Sequence, residues 1–378
     1  MKKIIVLIQK CLGNIFQRKS RKMMIGDFMD MIAHNPSIKN EYVKGEEDNI
    51  SKWKVLSSKV SPIAYRLYSP FIGGSPNIMP PDVARAFVEP ILNPGENIPF
   101  YNDKNSLNLI VPQEDTPKVY IRAIGNNLMD GAYNPISRDS FDALFENVEK
   151  IIVKPAKEQG GSGITFFEKR NDGYFVNNQG AVLTLDWLKN NYHTDYLVQE
   201  CFKQSEYISQ FNPTSVNTIR AITYRDVNTG EIHYRGAVLR MGGKGAVIDN
   251  ATTGGCFVGI DDNGVLKDKV FDKYGRCVNI FNDIDFSKTH FQIPNYDEIK
   301  KFAKKVSSRI PHMNLFALDI VLDVNNNPKL IEVNTQSFTA YFMQLTNEPV
   351  FGEYTDDVIT YCKNNKNRLA VRIRYMLK

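Results

Sequence analysis

The stretch Leu315-Phe-Ala-Leu-Asp-Ile-Val-Leu-Asp-Val-Asn-Asn-Asn-Pro-Lys-Leu-Ile-Glu-Val-Asn334 consists of two apolar runs separated by a polar turn. Turn-forming residues from Asn325 to Pro328 between the two runs predict a β-hairpin. Asp319 lies in the first strand. Glu332 and Asn334 lie two residues apart in the second, so both point to one face. Three oxygen ligands on neighbouring strands suit magnesium, which takes one or two carboxylates together with phosphate oxygens.

The alternative is a solvated hairpin with polar residues on its outer face, which accounts well for Asp323. It accounts poorly for Glu332, because Leu330, Ile331 and Val333 predict a strand that is largely buried on both faces. An acid at such a position is costly unless it is paired or bound to a metal. On the hairpin alone both interpretations stay open, and the remaining motifs favour the metal site.

Composition indicates a globular protein without membrane spans. The chain has 378 residues, of which 42% are hydrophobic and 24% charged, and no apolar run approaches the length of a span. Its five cysteines are scattered and show no CxxC spacing, which favours a reducing compartment over a zinc site or a disulfide framework. No small-residue cleavage site follows the short apolar N-terminal stretch, so we expect a cytoplasmic protein.

Charge is distributed unevenly along the chain. Residues 1–22 carry seven basic side chains and residues 363–378 carry six, and neither segment contains an acid. Removing these thirteen charges from the net charge of +5 leaves −8 on the rest of the chain. A nucleic-acid groove needs basic residues across a binding face, so this pattern argues against a nucleic-acid partner. The basic ends could instead contact a membrane surface peripherally.

The first hundred residues are predicted to be mainly helical, with no assignable fold. Apolar residues between Ile4 and Phe16 recur at helical spacing, and a second helix is predicted from about Lys22 to Ala33. The first helix either packs on the body or lies on a membrane surface. Residues 37–60 also look helical. Beyond residue 100 strands and helices alternate, which indicates an α/β or α+β fold. Strands are predicted at 118–124, 150–154, 163–168, 196–200, 217–225, 232–241, 316–323 and 329–333, and helices at 138–147, 184–191 and 295–309.

A glycine-rich loop joins two strands in the middle of the chain. The strand Ile151–Pro155 contains Lys154 and is followed by Gly160-Gly-Ser-Gly163 and by a further strand. Glycines let backbone N–H groups turn toward phosphate oxygens, and a lysine at the strand end could neutralise a phosphate. A simple glycine-rich hairpin is the alternative, and a lone GGSG favours it.

Further elements follow in a characteristic order. Tyr196–Phe202 reads as a strand that breaks into a loop, where backbone groups could pair with an adenine edge, and Glu206 follows within reach of a ribose. A strand with Arg220 comes next, and then the Asp319 hairpin. The order of lysine strand, glycine loop, hinge, arginine strand and Asp…Glu-x-Asn resembles the ATP-grasp superfamily over about residues 100–350.

Two more segments are similar to one subgroup of that superfamily. Asn212–Arg220 and Asn250–Gly255 resemble the proteins found with sugar-transfer and surface-polysaccharide genes, including teichuronopeptide-biosynthesis-like proteins. The resemblance implies an α+β, ATP-grasp fold, in which two α+β subdomains clasp ATP, with a mainly helical N-terminal region. We expect that region at 1–100, the ATP-grasp domain at 101–362 and a basic tail at 363–378. Residues 1–100 depart from the usual βαβ pre-domain of the superfamily.

The resemblance also assigns roles to individual residues. Lys104 and Lys154 would contact the ATP phosphates or the adenine edge, and Gly160, Gly161, Ser162 and Gly163 would form the lid over the phosphates. Glu200 and Phe202 would supply hinge contacts and Glu206 the ribose contact. Asp319, Glu332 and Asn334 would bind Mg²⁺, and Arg220 and Arg240 would face the transferred phosphoryl group. Asn250, Thr252, Thr253, Gly254 and Gly255 form the candidate substrate segment, because its hydroxyls and backbone N–H groups suit an anionic or glycan substrate; an ordinary turn is the alternative, and it stays open.

Three classes of function remain on the sequence. The first is an ATP-dependent carboxylate–amine ligase that forms a C–N bond through an acyl phosphate, with a uronic acid or similar carboxylate of a surface polysaccharide as the acceptor. The second is a kinase that phosphorylates a sugar hydroxyl on the same scaffold. The third is a nucleotide-binding regulatory protein, against which the complete Asp319, Glu332 and Asn334 set argues.

Overall fold

The computed structural model describes residues 2–137, 141–158, 160–246, 249, 254–336 and 340–369. Within them the strands form two antiparallel sheets, of six and seven strands, and a separate two-stranded hairpin. The strands are β1 (Val119–Ile124), β2 (Asn127–Met129), β3 (Lys150–Pro155), β4 (Thr165–Lys169), β5 (Phe175–Val176), β6 (Tyr196–Glu200), β7 (Thr218–Arg225), β8 (Ile232–Met241), β9 (Cys256–Ile260), β10 (Leu266–Phe271), β11 (Cys277–Val278), β12 (Ile280–Phe281), β13 (Ile284–Asp285), β14 (Leu315–Leu322) and β15 (Pro328–Asn334).

The helices are concentrated in the first hundred residues and at the C-terminal end. They are α1 (Lys2–His34), α2 (Glu46–Trp53), α3 (Ile63–Ile72), α4 (Pro81–Val83), α5 (Glu89–Leu92), α6 (Ile98–Asn102), α7 (Leu107–Ile110), α8 (Leu185–Tyr192), α9 (Glu206–Ser209), α10 (Tyr296–Ser308), α11 (Ala340–Thr346) and α12 (Thr355–Asn364). A π-helical turn (Ala84–Val88) joins α4 to α5, and 3-10 turns lie at Lys104–Ser106, Gln113–Asp115, Asp142–Phe145 and Gly352–Tyr354.

The six-stranded sheet has the order β2-β1-β6-β3-β4-β5. One of its faces is covered by a core that includes Ile121, Val153, Phe167 and Val198, together with Leu188 of α8. The other face is more polar. Residues directly opposite each other on antiparallel strands point to the same side of a sheet.

The seven-stranded sheet has the order β11-β10-β9-β8-β7-β14-β15 and is covered on both faces. Helix α10 has an apolar stripe that contributes Ile299, Phe302 and Val306 to the core on one face. The core on the opposite face is shared with the N-terminal region, which contributes residues from Phe28 to Leu92. The N-terminal helices therefore complete the hydrophobic core of this sheet.

The N-terminal helices differ from the prediction. The two helices expected before His34 are one helix of 33 residues, α1, because the Gln-Arg-Lys-Ser-Arg-Lys segment between them contains good helix formers and no proline. Of residues 37–60, only α2 is helical. No helix among the described residues is long and apolar enough to cross a membrane.

Most of the strands and helices predicted beyond residue 100 are confirmed to within two residues of their ends. The hairpin turn ends one residue earlier than expected, because Pro328 already begins β15. The sequence did not reveal β2, β5 or β9–β13, whose strands are short or lack an alternating pattern. Of the helix predicted at 138–147, residues 138–140 lie outside the described part of the chain and Asp142–Phe145 form a 3-10 turn.

Candidate nucleotide and metal site

The hairpin β14–β15 brings three oxygen-bearing side chains together. Asp319 is directly opposite Glu332, and Ala317 is opposite Asn334, with a bulge after Asp319. The Asn334 Nδ2 lies 3.3 Å from Glu332 Oε1 and 3.5 Å from Asp319 Oδ2. The three side chains therefore share one face, as the two-residue spacing predicts.

The prediction that the second strand is largely buried on both faces is wrong. Glu332 keeps 24% of its side chain exposed, and only Leu330 and Val333 of β15 are buried. The reason is that β15 is the edge strand of its sheet, so one of its flanks has no neighbouring strand. Glu332 therefore remains accessible from the cleft.

Asp319 is held by two arginines from neighbouring strands. Its carboxylate accepts Arg220 Nε and NH2 at 2.7 Å each and Arg240 NH1 at 3.2 Å. The Arg220–Asp319 pair is buried, and despite that burial the Arg220 guanidinium keeps the pKa of Asp319 below its usual value. Both carboxylate oxygens of Asp319 therefore already accept arginine donors, and a metal held by Asp319 would share this carboxylate with them.

A further acid beside Arg240 was not foreseen from the sequence. Asp249 accepts a hydrogen bond from Thr218 Oγ1 and lies 3.5 Å from Arg240 NH2. Thr218 and Arg240 are themselves opposite each other on β7 and β8. Arg240 therefore bridges two carboxylates, Asp249 and Asp319, and no local pattern around residue 249 gives a signal of this contact.

The two predicted lysines approach the hairpin from two elements, Lys154 from β3 of the six-stranded sheet and Lys104 from the 3-10 turn Lys104–Ser106 before β1. Lys104 Nζ lies 3.7 Å from Glu332 Oε2 and donates to the carbonyl of Glu158, while its backbone N–H binds Ala156 O. Lys154 is buried on β3, and burial, followed by the nearby Lys104 charge, lowers its pKa to about 7. An anion placed beside Lys154 would offset the cost of burying its charge.

The segment that carries Lys104 is itself fixed by a fully buried arginine that the sequence analysis missed. Arg122 on β1 donates to the carbonyls of Asn105 and Gly131 and to the side chain of Asn108. Tyr133 stacks against its guanidinium at 4.5 Å and donates to Asn105 O at 2.7 Å. The acceptors of this arginine are neutral, and burial lowers its pKa.

The glycine loop has the backbone geometry that only glycine adopts readily. Gly160, Gly161 and Gly163 have φ values of 68°, 78° and 72°. A Cβ atom at Gly163 would lie 2.8 Å from the Pro155 ring. Tyr192, which was not foreseen, ties down the C-terminal end of the loop by donating to Gly163 O at 2.6 Å. Gln159 lies outside the described residues.

The predicted hinge is only partly available to a ligand. The N–H of Glu200 binds Lys118 O at 2.9 Å, and its carboxylate accepts the Lys118 N–H at 2.7 Å. The backbone contact predicted between Glu200 and the nucleotide can therefore be made only by the carbonyl oxygen of Glu200. Phe202 follows in the loop, and Glu206 is exposed at the first position of α9.

An apolar surface lies beside the hinge on the same face as Lys154. Lys154 is opposite Leu197 on β6, and Ile152 is opposite Phe166 on β4. Phe166 is 39% exposed and Ile152 is half-buried, whereas Leu197 is buried, so the accessible part of this platform consists of Phe166 and Ile152. The sequence analysis did not assign these residues. Side chains alternate between the two faces along β3, so Ile152, two residues before Lys154, could have been predicted to lie on the same face as that lysine.

Part of the predicted substrate segment cannot be placed. Asn250, Thr252 and Thr253 lie outside the described residues. Gly254 has φ 89°, and its carbonyl lies close to Gly243, so the two ends of the connection from β8 to β9 approach each other. Gly255 directly precedes β9.

The donor set fits a magnesium–nucleotide complex in its chemistry. Among the described residues there is no group of three or more His, Cys, Asp or Glu side chains arranged to hold a metal by themselves. Asp319 and Glu332 would supply two carboxylates to such an ion. Asn334 would supply its amide oxygen after the amide turns over, because its Nδ2 now faces both carboxylates. A pocket beside them is lined by Tyr101, Asn102, Asp103, Lys104, Leu107, Glu332, Val333 and Asn334.

Comparison with known protein families gives a match over most of the chain. The family described as sugar-transfer associated ATP-grasp matches residues 84–358. No curated protein matches the sequence.

Solved structures that align with the chain do so at a low level of similarity. D-alanine–D-alanine ligase from Bacillus anthracis is 11% identical, with a TM-score of 0.36, and the alignment spans 71% of this chain and 69% of the ligase. N5-carboxyaminoimidazole synthetase from Staphylococcus aureus, solved with ADP, is 11% identical, with a TM-score of 0.38, and the alignment spans 70% of this chain and 52% of the synthetase. Biotin carboxylase from Campylobacter jejuni is 12% identical, with a TM-score of 0.39, and the alignment spans 70% of this chain and 46% of the carboxylase.

Proposed function

This chain belongs to the sugar-transfer-associated ATP-grasp family, and from that premise we propose that it is an ATP-dependent carboxylate–amine ligase. One observation carries the proposal: Lys154 on β3 and Lys104, in the 3-10 turn that precedes β1, approach the Asp319, Glu332 and Asn334 face of the other sheet, with 3.7 Å between Lys104 Nζ and Glu332 Oε2. Cations on one side of a cleft and hard oxygen ligands on the other form a site for Mg²⁺–ATP.

Each part of the cleft has a task in holding the nucleotide. The Ile152 and Phe166 platform and the hinge at Glu200 and Phe202 would take the adenine, and Glu206 the ribose. Lys104, Lys154 and the loop Gly160–Gly163, with Ser162, would hold the phosphates. Mg²⁺ held by Asp319, Glu332 and Asn334 would supply neutralisation of phosphate charge.

The reaction we propose has two steps. A carboxylate oxygen of the substrate attacks the γ-phosphorus, the bond to the β–γ bridging oxygen breaks, and ADP leaves. An amine then attacks the acyl carbon, the C–N bond forms, phosphate leaves and the nitrogen loses a proton. Arg240, which bridges Asp249 at 3.5 Å and Asp319 at 3.2 Å, is the donor we assign to the acyl phosphate. Arg220 holds Asp319 in place.

For the acceptor we propose a uronic acid, or a similar carboxylate, of a surface polysaccharide or its precursor. The support is the description of the family as sugar-transfer associated. The substrate residues would be Asn250, Thr252, Thr253, Gly254 and Gly255, which offer hydroxyls, an amide and backbone N–H groups. For the compartment we propose the cytoplasm, which the five free cysteines favour.

A kinase that phosphorylates a sugar hydroxyl is the second candidate, because the same cations and metal ligands serve both reactions. Hydroxylamine distinguishes the two. With ATP, Mg²⁺ and a panel of uronic acids, a ligase should release ADP and form a hydroxamate when hydroxylamine replaces the amine. Glu332→Gln should lose both products. ADP release and a phosphorylated sugar without any hydroxamate would establish the kinase instead.

A further inference from the structure

The two faces of helix α1 differ in their environment: one packs on the rest of the protein and the other is exposed. Its inner face packs on the body through buried Ser20, Phe28 and Met31. Arg21 binds Asp82 at 3.0 Å, and Phe28 packs edge-on against Tyr68. The inner face is therefore committed to the protein core, and α1 is held at a fixed orientation.

The outer face combines apolar and basic side chains. Ile8, Ile15 and Met23 are 52%, 50% and 50% exposed, although such residues are usually covered. At 100° per residue they lie on one side of the helix, opposite the inner face. Cys11, Arg18, Lys19 and Lys22 lie on the same arc and are also exposed. We call this set, from Ile8 to Met23, the outer stripe.

We propose that the outer stripe docks on an anionic lipid surface. A surface that binds the outer stripe must be apolar enough to accommodate Ile8, Ile15 and Met23, and it must also carry negative charge. Arg18, Lys19 and Lys22 face outward, and residues 1–22 contain no acid. Helices that bind a membrane surface likewise combine apolar side chains, which enter the headgroup region, with lysines and arginines that attract anionic lipids.

Charge disfavours two other occupants. A second copy of the chain would bring its own basic stripe against this one, and like charges repel. The C-terminal segment 363–378 carries six basic residues and no acid, so it is repelled in the same way. An anionic membrane meets no such repulsion. The surface does not depend on which reaction the cleft performs, so its test stands apart from that of the enzyme.

Vesicle sedimentation of the full-length protein tests the proposal. With vesicles of phosphatidylcholine containing phosphatidylglycerol we expect the protein to sediment at low salt and to be released by added salt. Vesicles of phosphatidylcholine alone should leave it in the supernatant. Each lysine near an anionic surface contributes about fivefold to binding, so Lys19→Glu/Lys22→Glu should weaken it at least about 25-fold.

Two further variants keep the result interpretable. Lys189→Glu/Lys304→Glu makes the same change in net charge at exposed positions on α8 and α10 and should bind like the wild type. Ile8→Ser/Ile15→Ser should also lose binding, and an unchanged thermal unfolding curve would show that the fold is intact. The proposal is overturned if the wild type stays in the supernatant at low salt, or if the two glutamate variants bind equally.

Discussion

At the scale of single residues, Lys154 has the most unusual environment in the cleft. It is buried, and burial lowers its pKa to about 7, with the Lys104 charge adding to the effect. Bound phosphate favours the charged amine. Nucleotide binding should therefore raise the pKa of Lys154, and above pH 7 the lysine should take up a proton as the complex forms.

We predict that ATP affinity falls as pH rises from about 7 to about 9, because free Lys154 is then increasingly neutral. Lys154→Met should weaken ATP binding about tenfold or more near pH 7 and flatten this pH dependence. Lys150→Met is the control, because Lys150 lies on the same strand in an exposed pair with Glu168. Calorimetric titrations at several pH values measure both, and equal pH profiles in Lys154→Met and the wild type would refute the assignment.

The buried pair of Arg220 and Asp319 leads to a prediction about stability that revises the sequence-based expectation. The sequence alone suggests that Asp319→Ala removes the metal and leaves the fold intact. In the structure the same change removes the carboxylate that accepts Nε and NH2 of the buried Arg220 guanidinium, and we expect it to cost about 3–5 kcal/mol. Glu332→Ala, at a partly exposed edge position, should instead remove magnesium-dependent turnover with little loss of stability.

Urea unfolding of a double-mutant cycle measures this coupling. Asp319→Leu and Arg220→Met should each destabilise the protein strongly, and the double variant should be less destabilised than the sum of the two. Additive effects would mean that the two side chains do not depend on each other in the folded protein.

At the scale of elements, the hairpin β14–β15 is held at its open end, where its two strands lie side by side, by one side chain from the N-terminal region. Asn93 is fully buried just after α5. Its Nδ2 donates to the carbonyls of Leu315 and Thr335 at 2.6 Å each, and its Oδ1 accepts the N–H groups of Asn314 and Leu315. The start of β14 and the end of β15 are thereby tied together.

Asn93→Ala should therefore loosen the metal ligands as well as the fold. Leaving several buried backbone groups unpaired costs about 1–3 kcal/mol for each group. We expect lower stability in urea and a higher Mg²⁺ concentration for half-maximal ATP turnover. Asn177→Ala is the matched control, because Asn177 is a buried turn residue beside β5 in the other sheet. If both variants need the same Mg²⁺ concentration, Asn93 has only a general structural role.

Elements with a local signal could be predicted from the sequence, and elements without one could not. The hairpin β14–β15 and helix α10 follow from the spacing of apolar residues, and both are confirmed. Helix α1 was divided wrongly, because its polar middle interrupts the apolar pattern but not the backbone hydrogen bonds. Contacts such as Arg240 with Asp249 join positions on different strands, and no local pattern encodes them.

At the scale of the whole molecule, the N-terminal region and the seven-stranded sheet share one core. Trp53, Tyr68 and Ile91 are fully buried in the same cluster as Tyr224 of β7 and Phe351. We therefore expect that residues 1–100, although they depart from the usual pre-domain, are needed for the sheet that carries Arg220 and Asp319 to fold. The sequence could not show this, because the partners lie more than a hundred residues apart.

Transfer of an isotopic label tests the proposed reaction most directly. A uronic acid whose carboxylate carries ¹⁸O is incubated with ATP, Mg²⁺, an amine and the enzyme, and the phosphate released is analysed by ³¹P NMR. A ligase that acts through an acyl phosphate transfers one carboxylate oxygen to phosphate, so we predict one ¹⁸O in each phosphate formed with the amide. Amide formation accompanied by unlabelled phosphate, or ADP release with the label retained entirely in the sugar, would contradict the account.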